Sequence, residues 1–125
     1  MSTSTVPDGR RKGEQMKLYF YIRREVIGKD AHIIRCEECE VTEKPKSYYP
    51  VDRFPNGTYR SFIKKDEIGD FLDNYYDIVV LDKDDSEKAM ELFEEHSKRK
   101  IEELNKSISI QKSILKAVED YRTNG

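Results

Sequence analysis

Long apolar runs are missing from this chain of 125 residues, which is 38% charged with a mean hydropathy of -0.86. No stretch approaches the ~18 consecutive apolar residues that a membrane span needs, so a soluble protein without a membrane partner is expected. The apolar core of a secretory signal is also absent, because residues 1–16 are polar throughout. A cytoplasmic location follows, in which Cys36 and Cys39 stay reduced. There are two histidines, and no spacing of a phosphate loop, dinucleotide fingerprint, zinc protease, serine-hydrolase elbow or EF-hand. No enzyme, cofactor or metal site is expected. Leu, Ile, Val and Phe make up about 23% of the chain, just above the level at which disorder is the default. The core must be modest.

What is present is patterned. Residues 17–27 alternate, with Leu18, Phe20 and Ile22 on one face and Tyr19, Tyr21 and Arg23 on the other, the period-2 signature of a half-buried strand. Gly28-Lys29-Asp30 supplies turn chemistry, and a second strand over 31–42 completes a hairpin that ends before Pro45. A third strand is expected at 47–51 and, after the turn signal Phe54-Pro55-Asn56-Gly57, a fourth at 58–63. Residues 64–74 suit a short helix with Ile68, Phe71 and Leu72 inward, although Gly69 opposes it. A fifth strand at 75–81 contains the continuous apolar run Ile78-Val79-Val80-Leu81, fit for burial on both faces.

From residue 84 the period changes to that of a helix. Asp84 followed by Glu87 fits a carboxylate capping box. Ala89, Leu92 and Phe93 share a face suited to lying on a sheet, and the opposite side carries i,i+4 pairs such as Glu94 with Lys98. Farther on, Ile101, Leu104, Ile108, Gln111, Leu115 and Val118 follow 3-4-3-4-3 spacing, a stripe that stays on one side of a helix and needs a partner. The serines and asparagine between 105 and 113 leave open whether the helix is one or two. The expectation is an α+β protein: an antiparallel sheet of four to five strands over 16–83, then a long or broken helix over 84–122 that drives homo-oligomerisation as a dimer or higher. Residues 1–15 are expected to be disordered. They also precede Met16 with Arg10-Arg11-Lys12-Gly13-Glu14, whose codons can spell a purine-rich ribosome-binding site, so Met16 is expected to be the natural start.

Charge is unevenly spread. Residues 1–65 hold 14 Lys/Arg against 9 Asp/Glu, and residues 66–125 hold 9 against 16. Arg23, Arg24, Arg35, Arg53 and Arg60 interleave with Tyr19, Tyr21, Tyr48, Tyr49 and Tyr59, with Lys64 and Lys65 following. Guanidinium forks grip phosphates and tyrosine rings stack on bases, so these are the groups a nucleotide site needs. The alternative is that sheets favour tyrosine and carry arginine for solvation. As ligand-binding candidates the sequence offers Arg60 first, then Tyr59, Arg23, Tyr48 and Lys64. Nucleic acid is disfavoured by the net charge of -2 and the acidic helix. Cys36-Glu37-Glu38-Cys39 has no second such pair, and its cysteines point to opposite faces of a strand, which favours packed thiols over a metal or redox site. Asp82, Asp84 and Asp85 are read as loop and cap residues before a cation site.

Several segments together resemble a known group. The stretch Val41-Thr42-Glu43-Lys44-Pro45-Lys46-Ser47-Tyr48, the segment from Tyr59-Arg60 to Lys64-Lys65-Asp66-Glu67-Ile68-Gly69, and Ile78-Val79-Val80-Leu81 before a charged helix are similar to small proteins of phages that infect Gram-positive bacteria. Among those, the layout most resembles the Thoeris anti-defence sponge family. The resemblance implies a sheet followed by helices that assemble protomers into dimers and larger oligomers. It further implies a non-enzymatic role in the host cytoplasm: sequestering, without cleavage, a cyclic ADP-ribose signal made by a host immune enzyme. The alternative is an oligomeric phage-type interaction protein that binds a host protein and takes no small ligand.

Overall fold

The fold is that of a computed structural model, which describes residues 15–74 and 76–124. Six strands precede one helix: β1 Gln15–Glu25, β2 His32–Glu43, β3 Ser47–Pro50, β4 Ile63–Lys64, β5 Asp70–Phe71, β6 Ile78–Leu81 and α1 Ser86–Asn124. They form one antiparallel sheet in the order β4-β3-β2-β1-β6-β5, the expected α+β layout with one strand more than expected. The expectations for residues 1–14 lie outside the described residues, and Gln15 already belongs to β1.

β1 and β2 pair along their whole length, from Gln15 opposite Thr42 to Glu25 opposite His32. This register sends Leu18, Phe20 and Ile22 to one face, where Cys39, Val41, Tyr48, Ile63, Ile78 and Val80 join them in the main core. Phe54 and Leu72, from the connecting segments, close that core, with the Phe20 and Phe54 rings 5.6 Å apart. β6 is buried at all four positions, as its continuous apolar run implies. Tyr21, Val79 and Leu81 are also buried, on the opposite face, and Ala89 in the first turns of α1 is buried as well. Tyr21 is therefore not the solvent-facing residue that strict alternation assigns.

Three local expectations are corrected. The fourth strand shrinks from 58–63 to Ile63–Lys64, and the start of the expected stretch is held as a loop instead, with the Thr58 N–H turned back to Pro55 O at 3.1 Å and the Tyr59 N–H taken by Asn74. Its Oδ1 accepts the Tyr59 N–H at 3.2 Å, and its Nδ2 donates to the carbonyls of Gly57 and Tyr76 at 3.0 and 3.1 Å. The short helix at 64–74 becomes a single 3₁₀ turn at Lys65–Glu67 followed by β5. Gly69 ends the turn at φ 96°, in the left-handed region, and donates its N–H to Val80 O at 2.8 Å, which starts the pairing with β6. The helix is capped by Asp85, whose Oδ1 accepts the Lys88 N–H at 3.1 Å, rather than by Asp84, which accepts the Tyr21 hydroxyl at 3.2 Å.

The chain divides into a unit ending at Ala89 and a second unit from Met90 onward. α1 is continuous for 39 residues, so the serine-rich stretch does not break it. At 1.5 Å per residue it is about 58 Å long. No described helix is long and apolar enough to cross a membrane.

Candidate functional site

The five ligand candidates fall into two groups. Arg23, Tyr59 and Arg60 each meet the segment just before β6. Arg23 Nε binds Asp77 Oδ2 at 3.0 Å and its Nη1 lies 3.0 Å from His32 Nδ1. Tyr59 is 70% exposed, its ring tilted against Tyr76 at 6.0 Å. Arg60 donates to Asp73 O at 3.3 Å and to Glu67 Oε1 at 2.6 Å, with both side chains of that ion pair less than one-fifth exposed. The hydrogen bond to Glu67 raises the Arg60 pKa. Burial alone would raise Glu67, but the hydrogen bonds from Arg60 and from the Lys64 N–H at 2.9 Å outweigh it and hold that carboxyl below its ordinary range. Arg60, first choice on sequence, is thus a staple that ties the 3₁₀ turn to the loop before it.

Tyr48 and Lys64 lie elsewhere, where β3 meets β4, and around them the fold gathers residues that the sequence reading passed over. The Lys44 N–H bonds Ser47 O at 2.8 Å and closes a tight turn over Pro45 and Lys46. Ser47 pairs with Lys64, and the Lys65 N–H donates to Lys46 O at 3.0 Å. Four lysines thereby share one corner. Lys65 is occupied, bonded to Glu43 and placed 5.4 Å from the centre of the buried Tyr48 ring. Lys44, Lys46 and Lys64 are exposed and, among the described residues, form no ion pair. Beside them Tyr49 stacks on Phe62 with centroids 5.4 Å apart and planes 27° apart, and Lys44 Nζ lies 5.8 Å from the Tyr49 ring. Two shallow openings flank the turn and share Pro45, Lys46 and Ser47. One, of about 630 Å³, reaches Thr42 and Tyr49, and the other, of about 520 Å³, reaches Phe62, Lys64 and Asp66.

This corner can hold an anion and offer a flat ring to stack on. The ammoniums are point charges suited to phosphate or carboxylate, and among the described residues Asp66 is the one acid lining either opening. Lys44 and Lys46 carry a signal in the sequence, two lysines bracketing a turn proline. Their meeting with Lys64 and Phe62 depends on the two-residue β3–β4 pairing.

The other constellations resolve into structure. Cys36 sits opposite Tyr21 and is exposed, whereas Cys39 sits opposite Leu18 in the core, donating to Arg53 O at 3.5 Å. Burial pushes both thiols up, Cys39 to about 11, with Glu40 and Asp52 adding to it. A groove of about 380 Å³ between β2 and the loop after β3 is lined by Glu37, Glu38, Glu40 and Asp52 beside Arg53. Among the described residues no group of three or more His, Cys, Asp or Glu could hold a metal.

On the helix, the apolar members of the expected stripe, Ile101, Leu104, Ile108, Leu115 and Val118, are between 41% and 68% exposed, and Gln111 is exposed with them. Ile110, Ile114 and Tyr121, outside that stripe, are exposed as well. Comparison of the chain with protein-family models, with curated proteins and with solved structures finds no match.

Proposed function

We propose that this chain is a non-catalytic binding protein that self-associates through α1 and uses the lysine corner of its sheet to sequester a small anionic nucleotide, of the cyclic ADP-ribose kind that the family resemblance implies. The observation that carries the ligand half is the juxtaposition of Lys44, Lys46 and Lys64, which form no ion pair among the described residues, with the stacked Tyr49–Phe62 pair. A nucleotide needs both parts, cations for its phosphates and a ring face for its base. The observation that carries the assembly half is the row of half-exposed Ile, Leu and Val along α1. The non-catalytic reading is supported by the lining of the two openings, where the described residues include neither a histidine nor a cysteine.

A second reading keeps the assembly and replaces the nucleotide by a host protein. It is favoured by the β1–β2 hairpin, which continues beyond its pairing with β6 and ends in Ile27, 97% exposed, with Ile33 and Ile34 exposed behind it. Isothermal calorimetry with cyclic ADP-ribose isomers separates the two. The nucleotide reading predicts saturable heat and a raised Tm for the parent protein, both lost in Lys46→Glu/Lys64→Glu at unchanged oligomer mass. No heat with any isomer leaves the protein-binding reading, and heat retained in the double variant moves the ligand away from this corner.

A further inference from the structure

The apolar surface of the second half of α1 is too wide for one partner helix. At about 100° per residue, Ile108, Gln111, Leu115 and Val118 cluster around one direction, and Ile110, Ile114, Ala117 and Tyr121 around another, about 110° away. Both stripes occupy the same turns. From Ser107 to Val118 the only charged residues are Lys112 and Lys116, and both fall on the remaining arc, outside either stripe. A two-stranded coiled coil needs one narrow seam and would leave Ile110, Ile114 and Tyr121 in water.

The two stripes also differ in relief. The first is a ridge of long aliphatic side chains, Leu104, Ile108 and Leu115. The second includes the small Ala117 and is bordered on its lysine side by Ser109 and Ser113, and two adjoining hollows of about 340 and 410 Å³ run along it and share Ile114 and Ala117, with Val118 at the edge of the second. A ridge and a row of holes on one helix complement each other in knobs-into-holes packing when they belong to different copies. Resting on the self-association proposed above, we infer that the first stripe of each copy seats in the second stripe of the next, so that the helices close a parallel ring of at least three chains. Such a head-to-tail contact leaves one stripe open at each end until the ring closes, and therefore excludes a symmetric dimer as the end state. The occupant of the hollows is a further copy of this chain, because the ridge that fits them lies on the same turns of the same helix.

Sedimentation equilibrium of the full chain at micromolar concentration is the first test. With a protomer of 14.8 kDa, a mass of three or more protomers is expected. A dimer overturns the ring and leaves self-association standing, and a monomer overturns both. Complementation is the second test. Leu104→Asp/Leu115→Asp disables the ridge and Ile114→Glu/Ala117→Glu disables the hollows, so each variant alone should be monomeric, with the parent's sheet signal in circular dichroism. Mixed, they retain one intact ridge and one intact set of hollows, and should form a 1:1 heterodimer. If either variant alone still self-associates, or if the mixture gives no heterodimer, the head-to-tail contact is wrong.

Discussion

Replacing Arg60 by methionine keeps most of the aliphatic stem and removes the guanidinium, and the structure fixes what is lost. Two hydrogen bonds go, to Glu67 Oε1 at 2.6 Å and to Asp73 O at 3.3 Å, in a pair whose side chains are 19% and 18% exposed. A hydrogen bond to a charged group contributes about 1.5–3 kcal/mol. Glu67 keeps the Lys64 N–H and can turn partly to water, so the expected cost is about 2 kcal/mol. In a unit of this size that lowers Tm by about 8–16 °C. The loss is tied to pH. Because the Glu67 carboxyl is held below its ordinary value of 4.5 in the folded state, its contribution is complete above that pH and disappears as pH falls through the folded value. Urea unfolding of parent and variant at one protein concentration, at pH 7 and at pH 3, measures both effects. The difference should be about 2 kcal/mol at neutral pH and most of it should vanish in acid. A variant within 0.5 kcal/mol of the parent at pH 7, or a gap that persists unchanged at pH 3, refutes the staple.

Other consequences can be checked separately. Tyr21, buried and bonded to Asp84, has its phenol pushed up by burial first and by its Cys36 and Asp84 neighbours next, so the folded state should lose stability as pH rises past the ordinary phenol value of 10.0; alkaline unfolding followed by tyrosinate absorbance should show this phenol ionising only with the unfolding transition, and Tyr21→Phe should flatten that dependence. Ellman's reagent at pH 8 should label Cys36 well before Cys39, which is buried and has its thiol at about 11; equal rates would contradict the opposite-face placement. Gly69→Ala meets no atom within 4 Å but must adopt φ 96°, so it should cost about 1 kcal/mol by chemical denaturation through backbone strain alone; a neutral result would mean that the turn relaxes.

What could be read from the sequence follows the reach of each interaction. β1, β2, β6 and α1 carry their own periodicity, and the Ile78–Leu81 run announces its burial without help from the rest of the chain. The failures lie where a distant residue decides. The choice between Asp84 and Asp85 as the helix cap rests with Tyr21, which takes Asp84 from 63 positions away. In the stretch expected as a strand at 58–63, the Tyr59 N–H is taken by an asparagine side chain 15 positions away. Arg60 reads as a free cation because sequence patterns do not reveal that the 3₁₀ turn presents Glu67 to it. Lys44 and Lys46 bracket a turn proline in the sequence, but Lys64 joins them only through its pairing with Ser47.

Assembly requires α1 to join copies of the chain, and light scattering on a sizing column tests that directly. The burial at stake is worked from exposure: five aliphatic residues, each about half exposed, gain roughly 4–7 kcal/mol per protomer when covered, which two protomers together set against an association cost of ~4–15 kcal/mol. At micromolar concentration the parent should elute as a multiple of 14.8 kDa, and Leu104→Asp/Leu115→Asp should elute as a single folded protomer. A parent that scatters as one protomer, or a double variant that keeps the parent's mass, would contradict it.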